Sequence, residues 1–297
     1  MEKIGLGGQP LDLNLTLGCG QAFRWRKRED GVWSGVVRNR LMEFAIDGHD
    51  LLWRTYPAAD PELVADYLRL SDDVNAVYSR LSAIDPHLAD LIRCYPGMRF
   101  LRQDPAEALL SFVCSAANSI PRIMAAIDAL SIEYGDLVCE KENACYYTFP
   151  VIERLAAADP DALFATAGLG FRGPNLKLVA RQVLERGEGW LMSLRSMPYA
   201  EAREELMLIR GVGRKIADCV CLFALDKDQA VPVDTHVRQL AQRLWMPDLT
   251  AKSITDATYR RITEAFAERY GELSGWAQQF LFYEDLLRTR ELGRGLG

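Results

Sequence analysis

The chain of 297 residues is long enough to bury one sizeable core or two smaller ones, and 49% hydrophobic with 26% charged residues is an ordinary soluble balance. Seven scattered cysteines without a Cys-x-x-Cys pair, and only three histidines, argue against a zinc centre and suit reduced thiols in a cytoplasmic protein. A net charge of −6 argues against a broadly basic nucleic-acid binder, but a local contact surface built on backbone amides would not register in that total.

The N-terminal "MEKIGLGGQPLD" lacks the basic-then-apolar order of a secretory signal, and no later apolar run reaches the length of a membrane span, about 18 residues. "LDLNLTL" (11–17) alternates leucine with polar residues and predicts a half-buried strand. "QAFRWRK", "VWSGVV", "RLMEFAI" and "DLLWRTY" follow, separated by turn signals such as Glu29-Asp30-Gly31 and Asp47-Gly48. These predict a small antiparallel sheet over 10–56, then helices through the nineties.

From residue 105 the period becomes helical. Asp104-Pro105 opens a helix with a cap and a proline at its first position. Further helices are expected near 121–134, 151–158, 160–167, 174–187, 199–208, 214–225, 235–245, 250–270 and 274–288. The expected fold is α+β: residues 1–100 with an antiparallel sheet plus helices, and residues 101–297 helical.

"LIRGVGRKIADCVCLFAL" (208–225) reads as two helices joined by a hairpin, with Gly211 and Gly213 allowing a tight turn at positive φ. The second helix starts near Arg214, and its first amides lack intrahelical partners, so they form a ready phosphate site. A P-loop is excluded because Gly213 is followed by Arg, Lys and Ile; a dinucleotide loop lacks its third glycine. Lys215 sits in the first turn, where the helix dipole disfavours a positive charge. Cys219 and Leu222 share its face, so the amine looks across an apolar wall. A neutral amine there suits Schiff-base chemistry; the plain alternative is a lysine that only touches phosphate.

Nineteen residues on, Asp234 precedes the helical pattern Val237, Leu240, Ala241, Leu244 and is a good N-cap. A carboxylate fixed in that way can also face a cationic sugar and stabilise it.

A hairpin ending in lysine, a Gly/Pro loop and an aspartate resemble the helix-hairpin-helix glycosylase superfamily. "GVGRKIADCVCLFALDKDQAVPVDTHV" is most similar to the 8-oxoguanine DNA glycosylase family, the Ogg type. "GQAFRWR" (20–26), "LRQDPAEALLSFVCS" (101–115), "LGFR" (169–172) and "GWAQQFLF" (275–282) occur in that family's order. The resemblance covers residues 11–288.

This resemblance implies a DNA repair enzyme that flips an oxidised guanine out of duplex DNA. Lys215 attacks the sugar and forms a Schiff base that permits β-elimination, and Asp234 stabilises the cationic sugar. Gly20, which alone would read as a plain turn, matches the glycine whose carbonyl reads the hydrogen on N7 of the lesion. Gln278 and Phe282 match the amide that reads the Watson–Crick edge and the ring that stacks on the base; Cys219 matches the opposite side of that sandwich. His236 matches a phosphate contact. Arg122 and Arg172 match the arginines that hold the orphaned cytosine. Two departures relax that preference: Ala117 stands where animal and fungal members carry asparagine, leaving Asn118 as the nearest amide, and Phe171 replaces a wedging tyrosine.

The resemblance further implies a monovalent cation held by the carbonyls of Met207, Ile209 and Val212, and no other cofactor. An iron–sulfur cluster of the endonuclease III kind needs four closely spaced C-terminal cysteines, and none follows Cys221. The expected partner is double-stranded DNA, with no membrane, for a monomer associated with the nucleoid in a prokaryote. Two rival readings are a hairpin module that binds DNA without cutting it, and an alkylated-base glycosylase that uses aspartate with water.

Overall fold

The computed structural model describes residues 1–166, 168–187, 189–249 and 253–294. Five strands form one antiparallel sheet: β1 (Glu2–Gly5), β2 (Arg26–Lys27), β3 (Trp33–Val37), β4 (Arg40–Asp47) and β5 (Asp50–Tyr56), in the order β1-β5-β4-β3-β2. Trp33, Phe44 and Trp53 stand opposite one another across β3, β4 and β5. Trp25 stacks on Phe44 at 5.0 Å and donates to the Tyr67 hydroxyl at 2.8 Å. Period-2 alternation thus puts Met42 and Phe44 into a core closed by the helix Pro61–Tyr67.

Glu43 points to the other face of β4 and is fully buried there. It accepts from Arg54 at 2.7 Å, from Arg28 at 3.1 Å, and from Lys141. Burial alone would raise its pKa; the bonds from Lys141 and Arg54 outweigh this and hold it below the ordinary carboxylate value. Lys141 belongs to β6 (Leu137–Lys141), which pairs with β7 (Ala144–Tyr147) in a separate hairpin.

The helical body has its own core, formed by the helices Pro105–Cys114, Ile120–Tyr134, Arg172–Glu185, Arg214–Ala224 and Ser274–Arg294 with their neighbours. Residues from Val74 to Phe100 pack into this larger core, whereas Leu101 packs with the sheet. Two ion-pair clusters tie the parts together. Arg69 and the Trp276 indole both donate to Asp228, each at 2.9 Å. Arg102 reaches Asp66 at 2.6 Å and Asp226 at 3.0 Å. The segment that leads from the hairpin to Asp234 is therefore anchored on two sides. Among the described residues, no helix is long and apolar enough to cross a membrane.

The fold class agrees with the sequence reading, but several elements differ. "LDLNLTL" is a short helix, Leu13–Leu17, capped by the Asp12 carboxylate accepting from Asn14 N and Leu15 N. The i, i+4 pair Leu13/Leu17 joins the sheet core while Leu15 faces the helical core, a division a strand could not make. Of "QAFRWRK" only Arg26–Lys27 is strand. β1, β6 and β7 were not expected. The helix expected over 174–187 runs from Arg172 to Glu185. The helix expected over 250–270 is described from Asp256 to Tyr270; residues 250–252 lie outside the described residues.

Candidate active site

The hairpin joins the helices Tyr199–Met207 and Arg214–Ala224. Gly211 holds φ +99°, and a Cβ there would fall 2.2 Å from Asn175 Oδ1. Gly213 differs from the expectation: its φ is −92°, ordinary extended backbone, and a Cβ would meet nothing within 4 Å. It is the N-cap of the second helix and, having no side chain, leaves the first amides of that helix uncapped.

Within the first turn, the Lys215 amine donates to Ser115 Oγ at 2.9 Å and lies 5.3 Å from the centroid of the Phe112 ring. Both partners come from the C-terminal end of the helix Pro105–Cys114 and the residue after it. Cys219, one turn further, is buried, and burial pushes its thiol up to about 12 against the opposing pull of Lys215. Asp234 is the N-cap expected: its carboxylate accepts from Val237 N at 2.9 Å.

Gly20 reaches the same place from the N-terminal part. Its φ is +90°, and an added Cβ would stand 3.3 Å from Ile120 Cδ1. Gln21 fixes it: the fully buried amide donates to Thr16 O (2.7 Å) and Arg99 O (2.8 Å) and accepts from Leu101 N (3.0 Å). Every polar atom of that side chain is occupied, so the backbone beside it is held rigidly.

Six residues singled out from the sequence, Gly20, Lys215, Cys219, Asp234, Gln278 and Phe282, line one inner cavity of about 60 Å³. Gln278 is almost fully buried, and its Oε1 has no hydrogen-bond partner among the described residues. Such an atom costs about 1–3 kcal/mol unless something else meets it. Beside the inner cavity lies a groove of about 1070 Å³ that Gly20, Lys215, Asp234 and Phe282 also line, together with Asn118, Arg122, Gly213 and His236.

Arg172, Phe171 and Gly211 line neither cavity. Arg172 donates to Ala116 O and Ala117 O, each at 2.6 Å, and its guanidinium lies 4.3 Å from the centroid of the exposed Phe171 ring. Asn118 turns its amide back to Cys114 O at 3.1 Å. The Ile209 carbonyl, one of the three expected cation donors, accepts the turn hydrogen bond from Val212 N at 3.0 Å. No cluster of histidine, cysteine, aspartate and glutamate suited to a metal occurs among the described residues.

The sequence reading missed four neighbours. Ser115 and Phe112 hold the amine. Asp285 accepts from Arg243 at 2.9 Å and lies 3.0 Å from His236 Nδ1. Gln279 is buried and lines the inner cavity with Cys19. Asp285 was recoverable, since 278, 282 and 285 fall on one helical face; Ser115 carried no signal of its own.

Residues 3–109 match the sequence profile of the "8-oxoguanine DNA glycosylase, N-terminal domain". The chain is 35% identical to the N-glycosylase/DNA lyase OGG1 of Arabidopsis thaliana over 294 residues, covering 95% of this chain and 79% of that one. It is 26% identical to the N-glycosylase/DNA lyase of Saccharomyces cerevisiae, over 96% and 86% of the two chains. The solved Clostridium acetobutylicum 8-oxoguanine glycosylase/lyase, bound to double-stranded DNA with cytosine opposite 8-oxoguanine, superposes with a TM-score of 0.84. The two are 32% identical over 94% of this chain and 93% of that one.

Proposed function

The chain belongs to the 8-oxoguanine DNA glycosylase family, and we propose that it excises 8-oxoguanine from duplex DNA, with cytosine opposite, and then cleaves the strand at the abasic site. The observation that carries this reading is the orphaned Gln278 Oε1 in the cavity shared by Lys215 and Asp234. That oxygen is an acceptor waiting for the N1 and N2 hydrogens of a guanine-type base.

Each residue then has a chemical role. The neutral amine of Lys215 bonds to C1′ as the C1′–N9 bond breaks; the base leaves with the bonding pair and takes up a proton from the amine. Asp234 stabilises the positive charge on the sugar in this step. The sugar opens to a Schiff base on Lys215, which acidifies the 2′ hydrogen and lets the 3′ phosphate depart. Water then releases the amine. The Gly20 carbonyl accepts from N7–H of the lesion and opposes the N7 lone pair of guanine. Phe282 and Cys219 hold the two faces of the base.

The inner cavity is far smaller than the roughly 300 Å³ typical of ligand sites, so its lining side chains must rearrange as the base enters. Outside it, His236 and the amides after Gly213 hold phosphates, and the turn at Gly211 presents them. Arg122, Arg172 and Asn118 face the orphaned cytosine, and Phe171 wedges the gap. Arg172 exchanges its carbonyl partners at 116–117 for the base. The carbonyls of Met207, Ile209 and Val212 would hold a monovalent cation at the hairpin, where it would steady the turn; no other cofactor is needed. In this reading residues 1–100 supply lesion recognition, residues 101–297 the catalytic hairpin, and the protein acts as a monomer.

Borohydride trapping on a duplex with 8-oxoguanine opposite cytosine tests the assignment. The protein forms a covalent adduct; Lys215→Gln forms none and still binds the duplex. Base release at the parental rate by Lys215→Gln would overturn the nucleophile assignment, and a parental protein that binds but gives no adduct would leave only the DNA-binding module.

A further inference from the structure

The second hairpin helix carries one buried charged group that the chemistry above does not use. Asp218 is completely buried, three residues after Lys215, on a helix otherwise apolar over 216–224. Its Oδ1 accepts from the Tyr199 hydroxyl at 2.7 Å and lies 3.1 Å from Arg203 Nε; its Oδ2 accepts from the Tyr259 hydroxyl at 2.5 Å. The Tyr259 oxygen does more. It accepts from Val233 N at 3.2 Å and stands 3.3 Å from Val231 O. Asp218 therefore connects the helix of Lys215, through one hydroxyl, to the backbone immediately before Asp234.

Stability gives no reason for this arrangement. A carboxylate in such a place costs several kcal/mol of desolvation, and well-packed apolar residues of the same volume are often as stable or more so. What the network supplies is geometry: the helix and the loop receive a fixed separation. Val231 and Val233 are themselves almost fully buried, so the loop lies close against the helix.

We propose that Asp218 and Tyr259 are positioning residues, joining the helix of Lys215 to the loop of Asp234 so that amine and carboxylate keep the separation the reaction needs. This rests on the glycosylase reading above and assigns neither residue a contact with the reacting atoms. Breaking C1′–N9 needs amine and carboxylate together, whereas Schiff-base formation on a ready-made abasic site needs the amine alone. Loss of the brace therefore slows base excision more than it slows trapping on an abasic duplex.

Tyr259→Phe removes the shared hydroxyl and keeps the ring. Its expected single-turnover excision of 8-oxoguanine is slower by about tenfold to a hundredfold. Duplex affinity and borohydride trapping on a preformed abasic site remain within about threefold of the parent. Asp218→Asn, which keeps shape but weakens the same bonds, falls between the two. Equal loss of excision, trapping and affinity in Tyr259→Phe would mean a merely structural role and would overturn the proposal, as would unchanged excision in both variants. A parental protein that excises nothing would instead defeat the glycosylase reading, so the two failures are distinct.

Discussion

Gly20 and Ala117 both hold positive φ, +90° and +48°, yet only one of them is glycine. At Gly20 the left-handed conformation strains any side chain, and a Cβ would press on Ile120 Cδ1 at 3.3 Å. Gly20→Ala is expected to fold with a cost of about 1–2 kcal/mol and to lose most discrimination between 8-oxoguanine and guanine, measured as the ratio of single-turnover rates. An unchanged ratio would remove Gly20 from lesion recognition. Ala117 carries left-handed strain in the loop whose carbonyls hold Arg172. Asparagine tolerates that region several-fold better, so Ala117→Asn is expected to raise stability by about 0.5 kcal/mol, roughly 1 °C in Tm. It also sharpens the preference for cytosine, read from excision rates with each of the four bases opposite the lesion.

The hairpin separates two kinds of glycine within three residues. Gly211→Ala places a Cβ at φ +99° and is expected to destabilise by about 1–2 kcal/mol and to weaken DNA binding. Gly213→Ala meets no protein atom, so its melting temperature stays parental while duplex affinity falls, because the added methyl faces the phosphate that the helix amides receive. Thermal melts beside affinity measurements check both, and a parental affinity in Gly213→Ala would argue against that phosphate site. The hairpin was legible because its glycines, lysine and cap aspartate are local signals. The elements that were misread depend on distant neighbours. "LDLNLTL" alternates like a strand, and its helix follows from the Asp12 cap and from two cores that claim alternate leucines. The β6–β7 hairpin turns at Glu142-Asn143, both at positive φ, without the glycine that marks such turns. β1 is a four-residue edge strand whose partner lies some fifty residues on. In the site, the motif residues that gather at one cavity each carry a local signal, whereas Ser115 is defined only by what packs beside it.

At the scale of the molecule, the net charge of −6 coexists with a groove whose wall carries Arg122, Arg214, Lys215 and His236 beside Asp234 and Asp256, the last paired with Arg214 at 3.2 Å. Electrostatic balance matters at a second place, where the stretch after Gly20 meets the helical body. Glu107, in the first turn of the helix Pro105–Cys114, faces Arg24 across 3.6 Å. Burial outweighs the attraction of Arg24 and pushes the carboxyl up from 4.5 to about 7. The folded state therefore binds this proton more tightly than the unfolded chain. Its stabilising contribution is complete below pH 4.5, falls as pH rises, and is gone above pH 7. Glu43 works in the opposite sense, since its lowered pKa gives stability that disappears as pH falls. The parental melting curve sums both, so the variant Glu107→Gln is needed to separate them. The amide cannot ionise, and whatever fixed cost it brings is the same at every pH. The stability of Glu107→Gln relative to the parent is thus expected to improve between pH 5 and pH 8 by about 2.5 kcal/mol, the larger part of the free energy that corresponds to the gap between 4.5 and about 7. Denaturant melts of both proteins at the two pH values measure it. A difference that stays constant, or that moves the other way, would mean that Arg24 keeps Glu107 ionised throughout and that the junction between the two cores is a standing ion pair.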